Sequence, residues 1–376
     1  MKLDVQISDD EAIFDELEAE WNALDAQTVP RLPFTSPRWN RIWWKHYGRT
    51  SPDARDHLRL AVLRCEQNTL VAVAPMMLTS RPSAGPLRTH ELQFLGADAN
   101  ITEIRGMVCR PGLEAEALHA LSQHLVTLRD WDWVQWRGLR HPDPTTLLPA
   151  FRPGNPLIDN FIQLAQTWDE QRSLLSRNLK ESLRKCYNSL SRDGHAWTFE
   201  AIGDPRDLGS ELQRLMRYHE LRSLALDTIP HPNAFASPES QRMIAEYVAE
   251  AGATGDVRIF ALRIGDSLVA MRMGFICGRD LYLYYSGYDL QWSPYSVMTT
   301  VVAETVKWAI AHGFERVNLS TGEDESKRRW RPQQIQFSEG YEPAPSRRGR
   351  LALAAFTLLR DRRRAAQIKV STTQPG

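Results

Sequence analysis

The sequence lacks an excess of either charge, a cysteine pair, a long apolar run and a glycine-rich phosphate motif. Its 376 residues carry 46 basic and 46 acidic side chains, so no net field draws bulk nucleic acid to it. The four cysteines, Cys65, Cys109, Cys186 and Cys277, stand far apart without a Cys-x-x-Cys pair, which indicates neither a structural zinc site nor a disulfide framework and suits a reducing compartment. The first residues, MKLDVQISDDEAIF, are acidic where a signal peptide is apolar, and no apolar run approaches the roughly 18 residues of a membrane span. The expectation is a cytoplasmic, metal-free protein.

What is present is an internal repeat. Leu63–Arg64, a turn, Leu70–Val71–Ala72 and the strand LQFLGAD ending at Asp98 recur about 200 residues later as Leu262–Arg263, Leu268–Val269–Ala270 and LYYSGYD ending at Asp289. Each copy reads as a hairpin, a third strand closed by Gly-x-Asp, a loop, a helix and one more strand. A unit of this size is a globular domain and not a solenoid repeat. We therefore expect an α/β (α+β) protein with two copies of one domain on mixed, mostly antiparallel sheets: residues 1–145, residues 156–341 and a basic tail, 342–376.

In the first copy a strand at 2–7 precedes SDDE, where Ser8 and Glu11 suit a capping box, and a helix carrying Ile13, Leu17, Trp21 and Leu24 on one face. A covering loop and a short helix fill 30–44. Strands follow at 58–65, 70–78 and 87–95, then a helix at 113–129 and a strand at 132–138. A proline-rich linker, 141–156, leads to a strand near 161–165 and one long helix, about 168–193. That helix turns Leu175, Leu179, Leu183, Tyr187 and Leu190 inward, and its other face carries Arg177, Lys180, Arg184 and Lys185, either a solvated stripe or a hold for an anionic ligand. A strand at 196–201, helices at 205–225 and 238–251, strands at 257–264, 268–277 and 280–288, a helix at 294–312 and a strand at 315–320 complete the copy. From Tyr341 on, eight Lys or Arg face only Glu342 and Asp361, and LALAAFTLLRDRRRAAQIK forms a short basic amphipathic helix that either lies on an anionic membrane or partner or is a solvated terminus.

The junction of the third strand with the following helix offers chemistry, because unpaired N–H groups and a partial positive charge at a helix start suit a phosphate. In the second copy this is GYDLQWSPYSVM: Ser293 suits the N-cap, Pro294 the first turn, and Ser296 adds a hydroxyl. Asp289 and Glu323 fall at or past the ends of two strands expected to be adjacent, where each either serves as a base or caps a turn. Tyr284, Tyr285 and Tyr288 alternate along one strand, so that one face is core and the other lines a cleft. Arg272, in mid-strand, needs a partner, such as an acceptor carboxylate.

SRNLKESLRKCYNSLSRDG at 176–194, HELR at 219–222, DSLVAMRM at 266–273, YYSGYD at 284–289, Ser293–Pro294 and NLSTGEDESKRRW at 318–330, with Trp21, FTSPRW at 34–39 and LVAVAPM at 70–76, resemble in their order the GCN5-related acetyltransferase (GNAT) superfamily, in its FemAB-like, two-domain branch that includes CelD-type proteins of cellulose and exopolysaccharide synthesis. The resemblance spans about 340 residues. It implies acyl transfer from a thioester, acetyl-CoA or a longer acyl-CoA, to an amine of a sugar, amino acid or cell-envelope precursor, catalysed chiefly by placement. It implies a donor site of Tyr285, Ser293, Pro294, Tyr295, Ser296 and Val297, catalytic candidates Asp289, Glu323, Lys327 and His219, and a substrate pocket of Arg272, Tyr288, Arg222 and Trp330. The chain departs from the family pattern at Tyr295, where Gly is usual and a phenol would crowd phosphate, and at Ser326, where Tyr often precedes the lysine. The FemAB side of the resemblance also allows a transfer from aminoacyl-tRNA, for which the basic helix face and tail would serve, and the two departures keep open a catalytically silent scaffold of polysaccharide synthesis. The first copy, with ANITEIRGMVCRPG after its Asp98, is read as one wall of an acceptor cleft.

Overall fold

A computed structural model describes residues 2–98, 100–140, 143–225 and 232–372, with side chains described through residue 362. The first copy runs β1 (Leu3–Ser8), α1 (Ile13–Asp25), α2 (Pro37–Tyr47), β2 (Arg55–Cys65), β3 (Leu70–Arg81), β4 (Thr89–Phe94), β5 (Val108–Cys109), α3 (Glu114–Leu128) and β6 (Trp133–Leu139). After a short β7 (Arg152–Pro153) the second runs β8 (Leu157–Gln163), α4 (Trp168–Leu174), α5 (Arg177–Arg192), β9 (Trp197–Ile202), α6 (Pro205–Ser223), α7 (Pro238–Ala253), β10 (Val257–Ile264), β11 (Ser267–Cys277), β12 (Asp280–Tyr288), α8 (Val297–Ala311), β13 (Arg316–Thr321) and α9 (Glu325–Arg328). The chain closes with β14 (Gln333–Pro343) and α10 (Arg347–Thr372).

The strands form one sheet in the order β1-β2-β3-β4-β6-β14-β8-β13-β12-β11-β10-β9, so the two copies mirror each other strand for strand about the β14–β8 pair. Neighbouring strands are antiparallel except at β4–β6 and β12–β13, the last two strands of each repeat. The expected tandem α/β architecture is thus present. β14, which the sequence pattern did not disclose, joins the halves: residues 333–337 pair with β8 and residues 338–343 with β6.

Several local expectations are corrected. The Ser8/Glu11 capping box is replaced by successive side-chain turns: Ser8 Oγ accepts the Asp10 N–H at 3.2 Å and the Asp10 carboxylate the Ala12 N–H at 2.9 Å. The long helix at 168–193 is two helices, because Thr167 with Glu170 makes a capping box for α4 and Ser176 restarts the chain by accepting the Leu179 N–H. The tail belongs to the fold at its start: Leu353 is fully buried, Phe356 stacks on Trp133 at 5.1 Å, and Arg348 pairs with Asp132 at 2.9 Å. Its last four residues lie outside the described ones.

The cores follow from side-chain alternation. One face of the second copy's sheet buries Phe260, Leu281 and Leu283 under α5 and α8, against Leu183 and Val301 of those helices. The other face is shared between the copies, where Trp39 of α2 packs edge-on against Tyr247 of α7 and Phe34 against Tyr282 of β12. Ion pairs flank this apolar contact: Arg38–Asp256 at 3.0 Å, Arg41–Glu250 at 2.6 Å, and Lys45 and His46 both at 2.8 Å from Glu246.

Candidate active site

β12 and β13 pair only through Asp280↔Arg316, Leu281↔Val317 and Tyr282↔Asn318, then diverge. Beyond that point each strand leaves backbone groups without a sheet partner, and the opening passes through the sheet. A cavity of about 300 Å³ fills it, lined on the α8 face of the sheet by Val297, Met298, Thr299, Val302, Leu319 and Trp330 together with Arg272, Ser286 and Tyr288, and by Arg222 at the end of α6. Ser293, Ser296, Ser326, Lys327 and Arg329 complete the rim.

The helix start at this cavity lies three residues later than expected. Residues 290–295 form a 3-10 turn, and Ser296, in the left-handed region at φ 52°, starts α8 without a side-chain cap. A helix N-terminus left bare beside a cavity attracts anions through its free N–H groups and its dipole. Ser293 and Pro294 therefore do not form the N-cap and first turn; they belong to the approach. Pro294 and Tyr295 face a separate pocket of about 500 Å³ that holds Arg184, Lys185 and Arg192 together with Glu181 and Asp193. Tyr295 does not crowd the helix start, because its hydroxyl lies 3.1 Å from both Asp193 and His195.

Among the described residues, four cations, Arg222, Arg272, Lys327 and Arg329, line the cavity and no carboxylate does. Arg329 donates from Nη2 to Thr299 Oγ1 at 2.8 Å, which holds its guanidinium beside the α8 start. Burial pushes Arg329 and Arg222 down from their usual range, and Arg222 also lies over the Tyr288 ring at 5.9 Å. Arg272 is pushed down to about 10 by burial, an effect opposed by the Glu103 carboxylate. Its Nη2 reaches Leu283 O only at 3.5 Å, and its buried Nε has no hydrogen-bond partner among the described residues. An unsatisfied buried guanidinium nitrogen is costly, and an anion in the cavity would remove that cost. The Lys327 ammonium is tied to the Thr321 carbonyl and lies 3.2 Å from Asp324.

Arg222, Arg272, Tyr288, Ser293, Ser296, Val297, Lys327 and Trp330 are thus brought together, and besides Pro294 and Tyr295 four expected residues are not. Asp289 accepts the Gln291 N–H at 3.0 Å and so caps the 3-10 turn, as Asp98 does in the first copy for the Ile101 and Thr102 N–H groups. Glu323 is exposed and faces Arg328 at 3.5 Å. His219 is fully buried, its Nδ1–H donating to Ser286 O at 3.0 Å and its Nε2 accepting the Ala234 N–H at 3.3 Å, so it is a packing residue with both nitrogens engaged. Tyr285 packs on His219 and donates to Asn100 O, away from the donor cleft.

Ser286, Met298, Thr299 and Arg329 line the site without having been singled out. Ser286 lies two residues before Tyr288, so alternation along the strand would have found it. Glu103 carried no local signal at all. It comes from the first copy, where residues 100–103 reach across to β12: Tyr284 donates to Ile101 O, and the Tyr282 hydroxyl to the Glu103 carboxylate.

The matching place in the first copy is closed. β4 and β6 also part after three pairs, but the chain at Arg105 plugs the gap so tightly that a Cβ on Gly138, at φ 61°, would stand 1.7 Å from Arg105 O. Glu114 accepts the Gly112 N–H at 2.8 Å at the start of α3, placing a carboxylate where the second copy leaves the helix bare. A cavity of about 260 Å³ lies beside it, lined by Thr28, Thr35, Val108, Glu114, Leu118 and Arg140 among others.

Residues 177–328 match the family model described as the acetyltransferase (GNAT) domain. No curated protein matches the chain. Among solved structures, FemX shares its fold with a TM-score of 0.57 at 11% identity, over 90% of this chain and 97% of that one. The C-terminal domain of a putative lysylphosphatidylglycerol synthetase from Agrobacterium fabrum does so with a TM-score of 0.50 at 12% identity, over 93% and 97%. A conserved protein of unknown function from Bacteroides thetaiotaomicron gives 0.50 at 12% identity, over 90% and 100%. With the parting strands, the bare helix start and the mirrored second copy, these matches show a GNAT domain at residues 177–328 within a chain that shares the fold of FemX.

Proposed function

We propose that the second copy is an acyl-CoA-dependent N-acyltransferase whose donor lies along the start of α8 and whose acceptor amine enters from the side of Arg222. The observation that carries this reading is the cavity at the parted β12 and β13, where a bare helix start and an arginine whose Nε has no hydrogen-bond partner among the described residues meet. A bound thioester supplies an activated acyl carbonyl. The free N–H groups of Val297 and Met298 and the Arg329 guanidinium suit its diphosphate. Arg272 and Arg222 suit a carboxylate or phosphate on the acceptor, and holding both partners in the opening converts their encounter into a local event. The acceptor is an amine of a sugar, amino acid or cell-envelope precursor of the kind CelD-type proteins serve. Contact with an anionic membrane surface fits the outer face of α10, where Leu351, Leu358 and Leu359 are exposed near Arg347, Arg350 and Arg362.

A second reading, transfer from an aminoacyl-tRNA, draws support from Arg184, Lys185 and Arg192 in the pocket against Tyr295. Calorimetry separates the two. On the acyl-CoA reading acetyl-CoA binds the intact protein, and Met298→Asp, which places a carboxylate in the first turn of α8 without removing a buried group, weakens it tenfold or more. Affinity for charged tRNA without affinity for acetyl-CoA would favour the second reading; equal acetyl-CoA affinity of variant and parent would remove the donor from α8.

A further inference from the structure

The cavity of about 260 Å³ in the first copy differs in charge from the opening at α8. Among the described residues its wall carries one cation, Arg140 at the end of β6, and one carboxylate, Glu114 at the start of α3. The rest is mostly apolar, from Met107, Val108, Leu118 and Leu139. Arg140 donates to two backbone carbonyls, Val29 O at 3.1 Å and Pro30 O at 2.9 Å, and lies over the Phe337 ring at 5.4 Å. Glu114 Oε2 accepts the Gly112 N–H at 2.8 Å. Neither group makes an ion pair among the described residues. Burial pushes Arg140 below its usual range, and Asp159, Asp25 and Glu114 oppose this through the field alone. Of these, Asp25 is engaged by Arg31 at 2.5 Å and Asp159 by Asn318 at 2.7 Å, which leaves Glu114 as the carboxylate on the cavity wall.

We propose that this cavity binds a free α-amino acid with an apolar side chain, its carboxylate on Arg140 and its ammonium on Glu114. A guanidinium and a carboxylate that line one cavity without closing on each other are each partly desolvated and uncompensated, and a zwitterion supplies a charge-assisted contact to both. The apolar wall asks for an alkyl or aryl group besides the two charges. The space, about 260 Å³, lies below the roughly 300–1,000 Å³ of sites for drug-sized ligands and suits a small metabolite. Solvent reaches it beside Val29, which lines the cavity and is 61% exposed. The assignment does not rest on the acyltransferase reading. The first copy, closed to a donor by the chain at Arg105, keeps a ligand site of its own.

Calorimetry on the full chain with leucine, methionine and phenylalanine tests this. At least one of the three should bind. Removing either charge of leucine, as in leucinamide or 4-methylpentanoate, should weaken its binding about tenfold or more, the size of a lost hydrogen bond to a charged group. Glycine, with nothing to set against the apolar wall, should also bind more weakly. Glu114→Gln keeps an acceptor for the Gly112 N–H and removes the charge. It should leave the melting temperature unchanged and lose about tenfold for leucine, while its affinity for 4-methylpentanoate stays within about twofold of the parent's. Arg140→Gln should show the converse, losing leucine and sparing leucinamide; where loss of its contacts to Val29 and Pro30 unfolds the chain, the Glu114 comparison decides alone. No binding of the three amino acids, equal binding of leucine and 4-methylpentanoate by the parent, or equal leucine affinity of parent and Glu114→Gln would overturn the assignment. Displacement of leucine by acetyl-CoA would overturn it too, by placing the amino acid in the opening of the second copy.

Discussion

At the scale of single residues, the Gly-x-Asp that ends the third strand of each copy shows how a repeated signal can be structural. A Cβ on Gly287 would stand 2.5 Å from Tyr218 Cβ, and one on Gly96, at φ 89°, 2.6 Å from the Thr102 side chain. The glycines permit close approach, and the aspartates cap the turns that follow. His219 belongs to the same structural group, and burial pushes its imidazole below the usual value. The unfolded chain therefore takes up that proton first as pH falls through the ordinary histidine range near 6.5. Stability from this group is complete above that range and is lost below it. Urea unfolding of the parent should weaken more steeply between pH 7 and 5 than that of His219→Gln; equal slopes would show that His219 keeps its proton affinity on folding.

At the scale of elements, hydrophobic periodicity located most strands and helices to within a few residues, because each buries one face. It failed where capping or pairing overrides period. Ser176 divides a continuous leucine pattern into α4 and α5, and the 3-10 turn moves the start of α8 to Val297. β14 escaped notice because QQIQF faces one partner and SEGYEP another, so no single alternation runs through it. The cavity-lining cations Arg222, Arg272 and Lys327 were legible as candidates, whereas the contact of the first copy with β12 through Glu103 and Tyr282 was not, since it spans 179 positions. α10 supplies a stability prediction. Truncation after Pro345 removes Leu353, the Phe356–Trp133 stack and the Arg348–Asp132 pair. The loss should destabilise the chain by about 2–4 kcal/mol in urea titration, the size expected for deleting large buried side chains. An unchanged midpoint would place α10 outside the folded unit.

At the scale of the whole molecule, the copies are mechanically one body. β14 is hydrogen-bonded to both halves, Tyr282, Tyr284 and Tyr285 reach into the first copy, and the α2–α7 ion pairs border a shared apolar core. The exposed pairs contribute little singly, about 0–1 kcal/mol each, so the apolar core and the shared strand carry the coupling. Unfolding followed by tryptophan fluorescence and by far-ultraviolet circular dichroism should coincide in one transition; two separated transitions would show independent copies. The central claim is that an acyl donor occupies the opening of the second copy and not its closed counterpart in the first. Hydrogen exchange of the intact protein with and without acetyl-CoA tests this most directly. The account predicts added protection at residues 296–300 and 319–321 with none at 110–116; protection at the start of α3 instead, or at neither site, would contradict it.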